Sequence, residues 1–101
     1  MVVNRRLIRL WRKLAVKGGF RFMVHVYVLW SNKLHKRYIG VSENINARLK
    51  QHNSGSNRFT RGGVPWILIH AESCETRTEA LKRERFLKSG VGRAWLAQNL
   101  K

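Results

Sequence analysis

Aspartate is absent from this chain of 101 residues, and Glu43, Glu72, Glu75, Glu79 and Glu84 are its only side-chain carboxylates. Sites that hold two metal ions between several clustered carboxylates are hard to build from that inventory, so metal chemistry here would use one divalent ion and one glutamate. Cysteine occurs once, as Cys74, which excludes an intrachain disulfide and a thiolate zinc cluster and fits a reducing compartment. No apolar run approaches the roughly 20 residues that span a bilayer, and the N-terminus lacks the uninterrupted apolar stretch of a secretory signal. The expectation is a soluble, cytoplasmic protein with one modest core, too short for two independent domains.

Against the few acids stand 21 lysines and arginines, a formal net charge of +16. Self-repulsion of that size opposes compaction and points to a polyanionic partner. Nucleic acid leads, because neutralising phosphates releases counterions; an anionic membrane surface is the alternative. Residues 1 to 22 carry Arg5, Arg6, Arg9, Arg12, Lys13, Lys17 and Arg21 without one acid, and Leu7, Ile8, Trp11, Leu14 and Ala15 recur at helical spacing. This reads as a basic amphipathic helix ended by Gly18 and Gly19. Packing on the domain, contact with phosphates and an organelle-targeting role compete for it.

From residue 23 onward the pattern is that of one domain. FMVHVYVLW, from Phe22 to Trp30, is rich in β-branched and aromatic residues, Arg37 to Val41 is a second extended piece, and SNKLHK between them suits a hairpin connection. Asn44 can cap a helix to about His52 with Ile45 and Leu49 on its buried face. Asn53 to Gly63 reads as a flexible basic loop, and Trp66 to Glu72 as a third strand with Pro65 at its start. Thr76 and Glu79 stand at capping-box spacing before a helix over Arg77 to Lys88, with Leu81 and Phe86 facing the sheet beside Ala80 and Leu87. Ser89 to Gly92 breaks it, and Arg93 to Asn99 forms a short last helix with Trp95 and Leu96 as core contacts. The sum is an α+β domain around a small three-stranded antiparallel sheet.

Within this frame the ordered set of His25-Val26-Tyr27, Tyr38-Ile39-Gly40, Arg48 in NARLKQH and Glu84 in EALKRE resembles the GIY-YIG nuclease superfamily, over about residues 23 to 96. It is closest in look to small single-domain members similar to the excinuclease C N-terminal domain. Tyr27 and Tyr38 are eleven residues apart, which lets a strand, turn and strand bring both rings to one end of a hairpin. The resemblance implies an endonuclease that hydrolyses nucleic-acid phosphodiester bonds, DNA before RNA, selective for structure rather than sequence. Glu84 would ligate one Mg²⁺ or Mn²⁺, Arg48 would bind the scissile phosphate, and Tyr27, before Tyr38, would act as general base. An ordinary tyrosine has a pKa of about 10, so its phenolate must be favoured for this to work near neutrality. His52 lies one helical turn after Arg48 and is placed to bond a phosphate or assist proton transfer. Gly40 would serve close backbone approach.

The chain departs from the family pattern at His25 and Val26, where glycine and isoleucine stand in the name, and at Val41, where excinuclease-type relatives carry a lysine. Asn99 does not match the offset of the family's downstream asparagine. Lys36, Arg37, Arg58, Arg61 and Lys88 are the candidates for tracking a nucleic-acid backbone. Taken singly, each site residue has a plain structural reading: a strand aromatic for Tyr27 and Tyr38, a solvated helix face for Arg48, a helix cap or surface position for His52, a surface partner of Lys88 for Glu84. Loss of the site altogether would leave a nucleic-acid-binding module. His25, His35 and His70 lack ligand spacing, and Trp30, Trp66 and Trp95 read as core.

Overall fold

The computed structural model describes residues 23–100, so the basic helix expected over residues 1 to 22 lies outside the described residues. Three strands, β1 (Val24–Ser31), β2 (Lys36–Ser42) and β3 (Trp66–Cys74), form an antiparallel sheet in the order β2-β1-β3. Three helices accompany it: α1 (Ile45–Asn53), α2 (Arg77–Lys88) and α3 (Gly90–Asn99). The expected α+β architecture with a three-stranded sheet holds.

Strand alternation divides the core in two. Val24, Val26 and Val28 of β1, with Ile39, meet Ala80 and Leu87 of α2 and Leu96 of α3. Tyr27 and Leu29 face the other way and pack with Ile45 and Leu49 of α1 and with Trp66 and Leu68. The central strand is therefore buried on both faces, which its near-continuous apolar run requires.

The β1–β3 register slips by one between Val28 and Leu29, because Leu68 pairs with Leu29 whereas His70 pairs with Val28. Ile69 is the extra residue of a bulge. Before it, Trp66 and Leu68 share the α1 face; after it, His70 and Glu72 share the face of α2 and α3. This aims the Glu72 carboxylate at Arg83, which donates from Nε at 2.7 Å and from Nη2 at 3.1 Å, while His70 Nε2 lies 2.7 Å from the second oxygen. These partners hold Glu72 down at about 2, the His70 hydrogen bond most and Arg83 next, against the upward push of burial.

Local signals set the helix starts. The Asn44 side chain accepts from Ala47 N–H, and the Thr76 hydroxyl accepts from Glu79 N–H. Three features differ from the sequence expectation. Leu81 is 43% exposed rather than facing the sheet, since the α2 stripe is carried by Ala80 and Leu87 with Phe86 half-buried. Ser89 to Gly92 does not merely break a helix: Ser89 caps α3, which starts at Gly90. Gly92 permits this, because a side chain there would run into the Phe86 carbonyl and the Leu87 backbone. Finally, the loop after α1 is tied down rather than loose. Asn53 bonds both the N–H and the C=O of Trp66, and the Trp66 indole donates to the Thr60 carbonyl at 2.7 Å.

Candidate active site

Tyr27 sits opposite Gly40 in the β1–β2 ladder. Its ring lies across that glycine so closely that an added Cβ would be 2.5 Å from the hydroxyl oxygen. Tyr38 is two residues before Gly40, hence on the same face, with its ring centroid 6.2 Å from that of Tyr27. The helix α1 follows β2 after the Asn44 cap and lays its buried side on this pair. Leu49 fills the apolar part of the contact, while Arg48 and His52, one turn apart, bring polar atoms to the two rings.

His52 is fully buried, with Nε2 at 3.1 Å from the Tyr27 hydroxyl and Nδ1 at 2.8 Å from the Thr60 hydroxyl. Arg48 stands beside the Tyr27 phenol and lowers its pKa against the push of burial, while its Nη1 donates to Gln51 at 2.9 Å. His52 thus links the Tyr27 and Thr60 hydroxyls, and in the tautomer with Nε2 as acceptor the Tyr27 O–H donates to it while Nδ1–H donates to Thr60. A connected path results, running from Tyr27 through His52 to Thr60. Sequence spacing placed His52 near Arg48, but not inside the protein; Thr60, between two basic loop residues, carried no signal beyond belonging to that loop.

Burial governs the electrostatics. It pushes the Tyr27 phenol above its ordinary value, with Tyr38 and Glu84 adding to the rise and Arg48 opposing it. Burial, reinforced by the Arg48 charge, pushes His52 below its ordinary value, so its imidazole is neutral at neutral pH and open to a proton. The Arg48 guanidinium is held protonated more firmly still, chiefly by its hydrogen bond to Tyr27.

Glu84 comes from α2, close enough for its charge to act on Tyr27. Its side chain is 22% exposed, and its carboxylate pairs with Lys88, one turn later, at 3.5 Å. No group of three His, Cys or Glu side chains that could hold a metal gathers among the described residues. A single solvent-reached carboxylate suits a hard ion that keeps most of its water, such as Mg²⁺ or Mn²⁺, and does not suit zinc. The other predicted residues, Lys36, Arg37, Arg58, Arg61 and Lys88, are all exposed. Lys36, Arg37 and Lys88 share one cleft with Tyr38.

Residues 23–96 match the family described as the GIY-YIG catalytic domain. Among curated relatives, the chain is similar to a UPF0213 protein of Desulfotalea psychrophila, 42% identical over 53 residues, which are 50% of this chain and 48% of that protein. A UPF0213 protein of Halobacterium salinarum is 36% identical over 67 residues, 65% of this chain and 86% of the relative. One of Staphylococcus aureus is 40% identical over 53 residues, with 52% and 65% covered. The chain thus spans about half the length of the first of these relatives and most of the second.

Proposed function

The chain belongs to the GIY-YIG catalytic-domain family, and on that premise we propose that it is a divalent-metal-dependent endonuclease hydrolysing nucleic-acid phosphodiester bonds. Its substrate is DNA before RNA, chosen by structure rather than by base sequence, and its place of action is the cytoplasm. The observation that carries this reading is the buried path from Tyr27 through His52 to Thr60, with Arg48 beside it. A tyrosine kept neutral by burial is a poor standing phenolate, and the path removes the need for one. The attacking water gives its proton to the Tyr27 oxygen as the Tyr27 hydroxyl proton passes to His52 Nε2. His52, neutral beforehand, carries the proton transiently, because burial and the Arg48 charge disfavour its imidazolium, while Thr60 accepts from its Nδ1–H. No lysine is required at Val41, because the acceptor comes from α1 instead.

Arg48 also faces the phosphate, offering N–H groups to the non-bridging oxygens as negative charge grows there. Glu84 would hold the divalent ion, which supplies charge neutralisation at the phosphate and leaving oxygen. Lys88 must yield its grip on Glu84 for this, and an arriving phosphate offers it a new partner. Exposed Arg58, Arg61, Lys36 and Arg37 track the flanking backbone without reading bases. The Glu84–Lys88 pair also favours a second reading, a binding module whose chemistry has lapsed. Duplex, single-stranded and branched DNA and RNA, incubated with and without Mg²⁺ or Mn²⁺, separate the two. Metal-dependent products on at least one form are expected; salt-sensitive binding with no product on any form would establish the module.

A further inference from the structure

Beyond the scissile site lies a cleft of about 600 Å³ along the outer side of β2, within the roughly 300–1,000 Å³ of small-molecule sites. Its lining brings together Lys36, Arg37, Lys88 and Arg93, with no carboxylate among the lining residues, beside Trp30 and His35 and along Tyr38 and Ile39 of β2. It adjoins the catalytic group at two points. Tyr38 packs on His52 with centroids 4.7 Å apart, and Lys88 is the partner of Glu84.

Trp30 is not a core residue, as the sequence implied, but a half-buried wall of this cleft. Its indole is fixed from two sides. The Nε1–H donates to Asn32 at 2.7 Å, and the His35 imidazole meets the ring edge-on, with centroids 5.9 Å apart and planes at 89°. His35 does this from a backbone at φ +52°, a conformation glycine would adopt with less strain. A rigid aromatic wall beside four cations matches one ligand chemistry: a flat base with phosphates on either side.

We propose that this cleft seats one unpaired nucleotide flanking the scissile phosphate, its base stacked on Trp30 and its phosphates held by Lys36, Arg37 and Arg93. The proposal rests on the nuclease reading and names its substrate class, since an indole can take the face of a base only when that base is unstacked from a duplex. A single-stranded flank or branch therefore binds better than a blunt duplex. His35 acts as a positioning residue for the indole.

The test reads binding rather than cleavage, using the full chain with Glu84→Gln so that the probe stays intact. Three probes are compared by anisotropy: a duplex with a single-stranded flank carrying 2-aminopurine, the same with an abasic flank, and a blunt duplex. Trp30→Ala is expected to weaken the flanked probe about ten-fold or more, to abolish quenching of 2-aminopurine, and to leave blunt duplex unchanged. Trp30→Phe should retain most of the affinity. His35→Gly should melt no lower than its parent yet bind the flank more weakly. Equal loss on all probes, no loss on any, or an abasic flank bound as tightly as the base-bearing one overturns the proposal. If Trp30→Ala fails to fold, the abasic probe and Trp30→Phe still decide. Wild-type chain that never cleaves sinks the nuclease reading alone, whereas cleavage with an indifferent Trp30 sinks this inference alone.

Discussion

Replacing Gly40 by alanine should damage stability and chemistry together, and the size of both effects follows from one contact. The new Cβ would lie 2.5 Å from the Tyr27 hydroxyl oxygen, 2.6 Å from Cζ and 3.0 Å from Cε1. Ordinary carbon contacts are about 3.5–4.0 Å, so the ring has to retreat by about 1 Å. It cannot do so freely, because Tyr27 is 1% exposed and bounded by Tyr38 and His52. Overpacking of this kind costs about 1–3 kcal/mol, roughly 4–20 °C in a domain of this size. The hydroxyl now sits 3.1 Å from His52 Nε2, and a shift of about 1 Å exceeds hydrogen-bond reach. Cleavage should fall about a hundred-fold. Urea unfolding and single-turnover cleavage measure the two effects, with Gly62→Ala as control, since nothing stands within 4 Å of that position. A Gly40→Ala protein with wild-type midpoint and wild-type rate would refute the packing of Tyr27 on Gly40.

Removing His52 as His52→Ala takes away the acceptor for the Tyr27 proton, so turnover should drop about 10²–10⁴-fold while nucleic-acid affinity changes little. Because burial and Arg48 keep His52 below its ordinary value, the wild-type rate should hold through neutral pH and decline only below about 6.5; a decline already complete at pH 7 contradicts the relay. On the sheet face of α2 and α3, Glu72 is held at about 2, so its ionised form stabilises the fold above the unfolded value and that contribution disappears as pH falls from about 4.5 towards 2. Glu72→Gln should cost about 2 kcal/mol at neutral pH after allowance for solvent screening and flatten the acid limb of stability, read by thermal melts across that range.

Much of this was legible in the chain because local signals agreed with the global pattern. Asn44 and Thr76 marked two helix starts by their side-chain chemistry, and runs rich in β-branched and aromatic residues marked the strands. The offset from Tyr27 to Tyr38 encoded a shared sheet face through hairpin register. Properties set by tertiary contact were not legible. His52 has the same spacing from Arg48 whether it meets solvent or sits fully buried, and its enclosure by Tyr27, Tyr38 and Thr60 comes from tertiary contact. The Ile69 bulge, which re-aims His70 and Glu72, leaves no mark in an apolar strand sequence. Ser89 reads equally as a break or as a cap, and the tight Gly92 approach to α2 decides it. Trp30 looked like core by composition, yet it is only half-buried and lines a cleft with Lys88, the last residue of α2.

The central claim is that Glu84 serves the chemistry and not the fold or the binding. Wild-type and Glu84→Gln protein should be compared on one branched DNA, with Mg²⁺ titrated from zero, recording bound and cleaved fractions in the same samples. Equal binding is expected, with metal-dependent products from the wild type and none from Glu84→Gln at any Mg²⁺ concentration. Cleavage by purified Glu84→Gln at the wild-type rate, or wild-type cleavage indifferent to metal, would contradict it.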